Sequence, residues 1–553
     1  MITIRRIIFF TSLALVLNGY GQDNLKIRTN NSGDIIAFGT FSGILDFGNG
    51  TVLGLISSED EGYFLASFDS TGILNWVKHL KGESQRCSGM CPGIGLAIDF
   101  NNNILITGNY WDHIEFDSVN TLSNTGRAES FVAKYDKDGN FTWMLHGSSP
   151  GISRGVEIDT DSKGNIYASG YFSGEGPFTL DSTIFLPAEE SLESIYVTRI
   201  TSTGIVEWMQ RIYGPGPDSR AGVHVQSHAT DSSGNCYLTG YYGGSNGVNI
   251  SFGEHVLTYY GEDMEIFIAK CGSDGEPLWM INAPSASGFD MPDQIAVNDN
   301  GNLFITGMIK ETVQFGALPP LNPNYIMDLF IAKYDTSGQA NWVTLGMPEP
   351  GFVNAVGTGI TVSNTGKVFS VGAFSDSLLF PPLPLISSDS GFGFLVKHDS
   401  MGVALSVSNH DLRFQDIVFG SDRYLYTISG NAAALIHESE VTITKWDLDC
   451  NRIWDRVIHS SIYLGKEESQ PSPDITIFPN PTSNVVSVRF DTPPRNFTSI
   501  AVYNINGQVV LSDQIEPGNQ IYRVDVSELV GSVFILKVET DKESFTRKII
   551  KLD

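Results

Sequence analysis

Short apolar runs alternate with polar, glycine-containing turns along most of this chain, and the alternation repeats. In residues 164–170 a Gly-Asn pair precedes an apolar run and a closing Gly, and close copies of this first phrase lie at residues 234–240 and 301–307. Runs this short, rich in β-branched and aromatic residues and bounded by glycines, predict β-strands.

A second phrase lies between the copies of the first. It reads Phe-Val-Ala-Lys-Tyr-Asp at residues 131–136, followed by Gly139 and Trp143. Copies surround five further tryptophans: Trp76, Trp208, Trp279, Trp342 and, in degenerate form, Trp454. Each unit of roughly 60–70 residues carries two D-x-x-G turns, in which Asp or Asn accepts backbone N–H groups and Gly takes the left-handed conformation that closes a hairpin. Two such hairpins predict four antiparallel strands for each unit.

Counting the second phrase gives seven units. They are centred on Phe64, Phe131, Tyr196, Phe267, Phe330, Phe394 and Ile443. We therefore predict an all-β fold, a seven-bladed β-propeller followed by a small C-terminal β-sandwich, with six or eight blades left open because closure can borrow a strand from either end. The recurring tryptophan should fill the gap between neighbouring sheets. Ser406 replaces it in the sixth unit, which should pack more weakly, and Cys450 replaces the turn glycine in the seventh.

The segments between the two phrases vary in length. Many begin with an apolar-x-Phe element, as at residues 45–47 and 114–116. We interpret them as an outer hairpin of each blade. Variable loops on a rigid scaffold are where binding usually resides.

The two phrases, G-N-x-Y-x-x-G and F-[IV]-A-K-Y-D-x-x-G-x-x-x-W, resemble the bacterial β-propeller repeats called SBBP repeats. The resemblance covers about residues 25–461. It implies the propeller fold. Because proteins with these repeats are surface or secreted proteins of many kinds, it carries over no catalytic residue.

Four segments are expected along the chain. Residues 1–21 read as a signal peptide, with Arg5 and Arg6 before an apolar stretch too short to span a bilayer. Residues 24–461 form the propeller, and residues 462–473 are a polar, proline-containing linker. Residues 474–553 alternate apolar and polar positions in the manner of a small sandwich. No later segment is apolar enough to predict a transmembrane segment.

The tail closely resembles the type A sorting domain of the type IX secretion system of Bacteroidota. The sorting-signal residues that we assign from this resemblance are Pro479, Asn480, Pro481, Gly507, Leu529, Gly531 and Lys548. The resemblance implies export through the outer membrane by the type IX machinery, removal of the tail by a sortase-like peptidase, and release or attachment to the cell surface. The alternative is an ordinary C-terminal binding domain of the same sandwich shape.

The net charge of the chain argues against one class of partner, and its cysteines allow disulfides. The formal net charge of −28 repels phosphate backbones, so nucleic acid is not an expected partner. Cys87 and Cys91 are close enough in sequence to form a disulfide in an exported protein. Cys236 and Cys271 fall in two strands of one unit, so a disulfide between these two cysteines is also open. Cys450 is then the remaining cysteine.

Motifs for catalysis or cofactor binding are few. His224 and His228 have the even spacing of residues on one face of a strand and could face the central channel, but a third ligand is not evident. The Asp-rich turn at residues 159–164 lacks the full calcium-ligand series, residues 243–247 lack a phosphate-binding lysine, and no G-x-S-x-G motif occurs.

A quinoprotein dehydrogenase has a similar tryptophan repeat, but it usually has eight blades and shorter units. We therefore predict no catalytic, cofactor or metal residues. The expected function is that of an exported module, secreted or on the cell surface, that binds an unknown glycan or protein. The alternative is a secreted hydrolase or lyase that acts on glycans at the channel mouth, with paired carboxylates.

Overall fold

The computed structural model describes residues 25–551 with short gaps, and within them it contains strands and turns but no helix. The residues left out are 1–24, 43, 49, 55–60, 84–93, 175, 182–183, 187–192, 215–221, 244–248, 260–263, 286–287, 324–326, 349–354, 388–392, 412, 431–438, 462–474, 479–481, 483, 491–492, 495–497, 504–508, 530–532, 540–543 and 552–553. The chain divides into two compact units, one of residues 1–42 and 59–457, the other of residues 43–58 and 458–553.

The first unit has the β-propeller fold that the repeats predict. Within the described residues, seven antiparallel groups of four strands follow one another along the chain, and we call them the first to the seventh sheet. Most sheets are built from strands consecutive in sequence apart from short inserted hairpins. The strands, in chain order, are β1 (Leu25–Thr29), β2 (Ile35–Ser42), β3 (Ile44–Asp46), β4 (Val52–Gly54), β5 (Glu61–Phe68), β6 (Leu74–Glu83), β7 (Gly95–Ile98), β8 (Ile104–Glu115), β9 (Thr121–Tyr135), β10 (Phe141–Ser148), β11 (Ser153–Thr160), β12 (Ile166–Phe172), β13 (Phe178–Leu180), β14 (Ile184–Leu186), β15 (Ser194–Ile200), β16 (Val206–Tyr213), β17 (Gly222–Thr230), β18 (Cys236–Gly243), β19 (Asn249–Phe252), β20 (His255–Thr258), β21 (Met264–Cys271), β22 (Pro277–Ala283), β23 (Met291–Val297), β24 (Leu303–Ile309), β25 (Asp328–Tyr334), β26 (Ala340–Gly346), β27 (Ala355–Val362), β28 (Val368–Phe374), β29 (Ser377–Leu378), β30 (Ile386–Ser387), β31 (Gly393–His398), β32 (Ala404–His410), β33 (Phe414–Phe419), β34 (Leu425–Gly430), β35 (Ser439–Trp446) and β36 (Arg452–Ser461).

The first strand of each sheet is its innermost strand. These strands are β1, β7, β11, β17, β23, β27 and β33. Each contacts the innermost strand of the next sheet, and β33 contacts β1. The innermost strands therefore form a circle, which is the arrangement that defines a propeller and that leaves few free sheet edges.

The D-x-x-G turns have the geometry that their residues predict. In the first turn of the third sheet, Gly164 has φ +81° and its N–H donates to the carbonyl of Asp161 at 3.0 Å. Oδ1 of Asp161 accepts the N–H groups of Lys163 and Asn165, each at 2.9 Å. The carboxylate thus satisfies the turn backbone, and only a glycine holds the positive φ without strain.

The recurring tryptophan packs on the turn of the next sheet. The indole N–H of Trp143 donates to the carbonyl of Ser202 at 3.3 Å, and that of Trp208 donates to Ser273 at 3.0 Å. A Cβ added to the turn glycine Gly275 would lie 2.7 Å from the Trp208 ring. The same indole-on-glycine contact recurs in six of the seven sheets, including Trp454 against the glycine of the first sheet, Gly72.

The inserted hairpins differ from the expectation in one respect. The hairpins form, but the pair β13 and β14 adds to β10 of the preceding sheet, and β19 and β20 add to β16. They extend the outer edge of the preceding sheet rather than of their own. A strand edge that would otherwise be unpaired is thereby covered.

The second unit contains the C-terminal domain. Its strands are β37 (Ile475–Phe478), β38 (Val485–Phe490), β39 (Thr498–Tyr503), β40 (Val509–Ile515), β41 (Ile521–Asp525), β42 (Val533–Glu539) and β43 (Ser544–Ile550). They form a three-stranded sheet, β37-β38-β41, and a four-stranded sheet, β40-β39-β42-β43. Alternate residues of both sheets share one apolar core, among them Val488, Val502 and Leu536. The second unit also contains β3 and β4, which are named above in chain order with the strands of the first unit; β3 pairs with β4 and with the end of β36.

Candidate functional site

The innermost strands share an irregularity that decides which side chains reach the interior of the circle. The register shifts at one equivalent position in five of them, for example between Gly155 and Glu157 in β11 and between Phe414 and Asp416 in β33. Such a β-bulge inserts one residue and re-aims the side chains that follow it. The residue just after the bulge, four positions before the turn, is Glu157 in the third sheet and Asp416 in the seventh.

Five polar side chains meet across the circle and form what we call the axial network: Lys26, Arg28, Glu157, Gln294 and Asp416. Nζ of Lys26 lies 3.3 Å from Glu157, and Arg28 lies 2.6 Å from Asp416. Gln294 donates to Asp416 at 2.8 Å and accepts the Ile360 N–H at 2.6 Å. Since Lys26 and Glu157 belong to the first and third sheets, their side chains must reach past the sheet between them.

The charges of the axial network compensate one another. Burial would raise the pKa of Asp416, but the nearby charges of Arg28 and Lys26 and the N–H of Ile27 lower it below its usual value. Burial raises the pKa of Glu157, and Lys26 and Arg28 only partly oppose this rise. The two cations and two carboxylates contact one another and neighbouring backbone groups, and so hold the innermost strands together.

A second cluster lies at the end of the sheets opposite the D-x-x-G turns, and we call it the rim cluster. It comprises Arg154, Tyr171 and Glu193 of the third sheet with His224 and Tyr241 of the fourth. Nε2 of His224 lies 3.1 Å from Glu193, and the His224 ring stacks on Tyr241 with centroids 4.9 Å apart. The guanidinium of Arg154 lies 5.8 Å from the Tyr171 ring centroid.

The rim cluster keeps its polar tips accessible. The side chains of His224 and Glu193 are 21% and 30% exposed, whereas Tyr171 and Tyr241 are buried. Nδ1 of His224 is itself buried and has no hydrogen-bond partner among the described atoms. Burial lowers the pKa of His224, and Glu193 opposes this shift. Because Nε2 of His224 faces Glu193 and its Nδ1 is buried, the partly exposed carboxylate of Glu193 is the group of this cluster that can accept hydrogen bonds from a polar ligand.

The two histidines that the sequence predicts on one face of a strand, His224 and His228, do not share a face. His228 is buried between the third and fourth sheets, where its Nδ1 lies 2.6 Å from Oγ of Ser169. A register shift between Val225 and Ser227 separates the two histidines, so their even spacing does not place them on one face. Among the described residues, no group of three His, Cys, Asp or Glu side chains could hold a metal ion.

Two further carboxylates occupy one equivalent position, two residues before the central aromatic of the second phrase. In the second sheet Glu129 lies 2.6 Å from Nε2 of His146 and accepts Ser148 Oγ at 2.8 Å. In the fourth sheet Glu265 accepts Tyr242 at 2.9 Å and Asn282 at 3.0 Å. Despite burial, the hydrogen bonds from His146 and Ser148 lower the pKa of Glu129, whereas burial raises that of Glu265.

Few of the residues assigned to the sorting signal and the disulfide lie in the described part of the chain. Cys87, Cys91, Pro479, Asn480, Pro481, Gly507 and Gly531 lie outside it. Leu529 packs against the core of the C-terminal domain, and its carbonyl accepts Nζ of Lys551 at 2.7 Å. Lys548 lies in β43 opposite Ile535.

Neither the axial network nor the rim cluster was predicted from the sequence. Each had a signal in the repeats: Arg154 and His224 both stand seven residues before the first turn of their sheet. The signal for the axial network is a charged residue in a strand that is apolar in the other repeat units. Alignment of the innermost strands would have exposed both sets.

Comparison with known proteins supports the assignment of the tail. Residues 476–552 match the family described as secretion system C-terminal sorting domain. This match supports sorting by the type IX secretion system and thus a secreted or surface protein. No helix in the described residues is both long and apolar enough to cross a membrane.

Part of the chain is similar in sequence to a viral repeat protein. Over 353 residues the chain is 26% identical to an uncharacterized WD repeat-containing protein of Acanthamoeba polyphaga mimivirus, covering 51% of this chain and a quarter (25%) of that protein.

Solved structures similar to the chain include an ACO/RPE65 chimera (12% identity, 82% of this chain and 96% of that one, TM-score 0.37) and a glucose dehydrogenase (10%, 79% and 98%, TM-score 0.27). A third is a gluconolactonase of Xanthomonas campestris (13%, 63% and 91%, TM-score 0.25). At these identities and TM-scores the likenesses carry nothing about activity.

Proposed function

We propose that this protein is an exported propeller, secreted or held on the cell surface, that acts as a binding module and is delivered by type IX secretion through residues 474–553. The match of residues 476–552 to the sorting-domain family supports the delivery route. In this proposal, residues 1–21 are a signal peptide, residues 24–461 an SBBP-type propeller whose seven sheets complete the ring, and residues 462–473 the linker. A sortase-like peptidase removes the tail.

The rim cluster is the observation that carries the binding role. Its polar tips are partly exposed, its tyrosines are fixed by packing, and four of its five residues lie on strands of two adjacent sheets, with Glu193 directly before β15. A site preorganised in this way loses little entropy when it binds a ligand. The carboxylate of Glu193, held in place by His224, fits the hydroxyl or amide groups of a glycan or a protein. Because both tyrosine faces are already covered, hydrogen bonding rather than stacking should dominate.

The test is binding of the purified full-length protein to a glycan array and to surface-protein extracts, with single substitutions in the rim cluster. Glu193→Gln should weaken binding about tenfold, the effect of losing one hydrogen bond to a charged group. The matched control is Arg413→Gln, because Arg413 stands at the position in the seventh sheet that Arg154 and His224 occupy in theirs, and its side chain is exposed. Equal binding by all three proteins would refute the rim cluster as the site.

The alternative is a hydrolase or lyase acting on glycans at the channel mouth. The pair Glu129 and His146 favours it, because a carboxylate 2.6 Å from an imidazole can move a proton. Incubation of the array glycans with the protein decides between the two functions. Turnover that is lost in Glu129→Gln would establish the enzyme, whereas binding without turnover supports the module.

A further inference from the structure

Two buried cysteines face each other across neighbouring strands of the fourth sheet. Cys236 begins β18, Cys271 ends β21, and the two are register partners. Both are 0% exposed, and their side chains are hydrogen bonded to each other. Partner residues of antiparallel strands have Cα atoms about 4.5–5.5 Å apart, which lies inside the range that a disulfide spans.

The other six sheets show that this pair is an exception to the repeat. At the two equivalent positions they all carry bulky side chains, which are also register partners. The pairs are Ile35 and Phe68, Ile104 and Tyr135, Ile166 and Ile200, Leu303 and Tyr334, Val368 and His398, and Leu425 and Trp446. Only the fourth sheet has small residues at both positions, and both are cysteines. Independent drift toward small apolar residues would not select cysteine twice at facing positions.

We propose that Cys236 and Cys271 form a disulfide in the exported protein, which joins the second and third strands of the fourth sheet. The proposal rests on the export part of the proposed function, since disulfides persist outside the reducing cytoplasm. In this structure both residues are thiols. Each sulfur loses a proton, the S–S bond forms, and the two electrons and two protons reduce the disulfide of an oxidised thiol–disulfide oxidoreductase or of oxidised glutathione to two thiols.

Because both sulfur atoms are buried, the thiol–disulfide exchange takes place before the sheet is complete. A thiolate attacks only a disulfide that it can reach, and neither sulfur is accessible in the folded sheet. The bond must form while the strands are pairing. Once the sheet is complete, reductants added to the native protein will not reach it, so the test has to trap thiols after unfolding.

The experiment maps thiols in the full-length protein recovered from outside the cell. The protein is unfolded in guanidinium with iodoacetamide and no reductant, digested and examined by mass spectrometry. We expect a linked peptide pair containing Cys236 and Cys271, and an alkylated Cys450. Cys450 is the internal control, because it is buried as well but contacts Ser406 rather than another cysteine. Alkylation of Cys236 and Cys271, or their pairing with any other cysteine, would overturn the proposal.

A second experiment distinguishes a protein that is not exported from a protein whose two cysteines do not form the disulfide. The chain is produced in a reducing cytoplasm, unfolded, and refolded with oxidised glutathione. The same linked peptide should form, and dithiothreitol present during unfolding should then lower the urea midpoint. The double variant C236V/C271V keeps apolar side chains at both positions, and dithiothreitol should lower its midpoint less than that of the unsubstituted protein. Refolded protein without the linked peptide overturns the disulfide, whereas a chain that stays inside the cell refutes only the export proposal.

Discussion

Nη1 of Arg28 lies 2.6 Å from Oδ2 of Asp416, which joins residues 388 positions apart in the chain. Asp416 is fully buried and also accepts the N–H of Ile27 at 3.0 Å. The contact links the innermost strand of the first sheet to that of the seventh. It is therefore one of the bonds that close the circle of innermost strands.

Removing the charge of Asp416 should weaken the contact that joins the innermost strands of the first and seventh sheets. Asp416→Asn leaves the cations of the axial network without one of their two counter-charges, and breaking a buried pair in this way costs about 3 kcal/mol of unfolding free energy. Urea unfolding followed by tryptophan fluorescence measures the loss. The control is Asp138→Asn, which removes a similar pair with Lys137 whose side chains are 61% and 65% exposed, and should leave the midpoint unchanged. Equal midpoints for the two variants would contradict the closing role.

Turn glycines under a tryptophan should tolerate substitution less than other turn glycines. Gly275 has φ +86°, and an added Cβ would lie 2.7 Å from the Trp208 ring. Gly366 has φ +75°, but its nearest neighbour would be 4.0 Å away. Gly366→Ala should cost about 1–2 kcal/mol for the left-handed backbone alone, and Gly275→Ala clearly more. Thermal unfolding compares them, and equal losses would show that the indole moves aside freely.

The sixth and seventh sheets contain a natural exception to this contact. Ser406 replaces the tryptophan, and the facing turn position is Cys450, with φ +66°. Oγ of Ser406 lies 3.3 Å from Sγ of Cys450. The two departures from the repeat are therefore linked, because without an indole at position 406 the turn has room for the side chain of Cys450.

The pair should accordingly behave as a unit under substitution. Ser406→Trp alone should destabilise the protein, because the indole meets the Cys450 side chain. The double variant S406W/C450G should recover stability relative to S406W and should restore the contact made in the other sheets. Chemical unfolding of the four proteins in this double-mutant cycle gives the coupling energy. A coupling of zero would mean that Ser406 and Cys450 vary independently.

The repeats predict the strands and turns well because those features are local. An Asp at the first turn position and a Gly at the fourth determine a hairpin whatever surrounds them, as Asp161 and Gly164 show. The axial network depends instead on side chains that meet across the circle from strands hundreds of residues apart. The spacing rule failed for His224 and His228 because a bulge lies between them, and no glycine marks this bulge between Val225 and Ser227.

Stability should fall in mild acid because several buried histidines are neutral. Burial lowers the pKa of His398 to about 4 and that of His228 to about 3. Their folded pKa values lie below the unfolded value of about 6.5, so the unfolded state binds protons first and stability is lost as the pH falls below that value.

For His398 the loss between pH 7.5 and 5 should be about 2 kcal/mol. His398→Phe should flatten the dependence of the urea midpoint on pH over this range, since the ring packs edge-on against Phe380 and a phenyl group suits that site. His113→Gln, at a side chain that is 44% exposed, should leave the slope as it is in the unsubstituted protein. An unchanged slope in the His398→Phe protein would exclude that histidine as the cause.

Delivery should depend on the tail and not on the propeller. Because residues 476–552 match the sorting-domain family, deletion of residues 474–553 should leave the protein in the periplasm, where fractionation and immunoblotting would find it. The reciprocal control places residues 474–553 behind an unrelated periplasmic reporter, which should then reach the cell surface or the medium. Outward delivery of the deleted protein, or retention of the reporter, would refute the tail as the export signal.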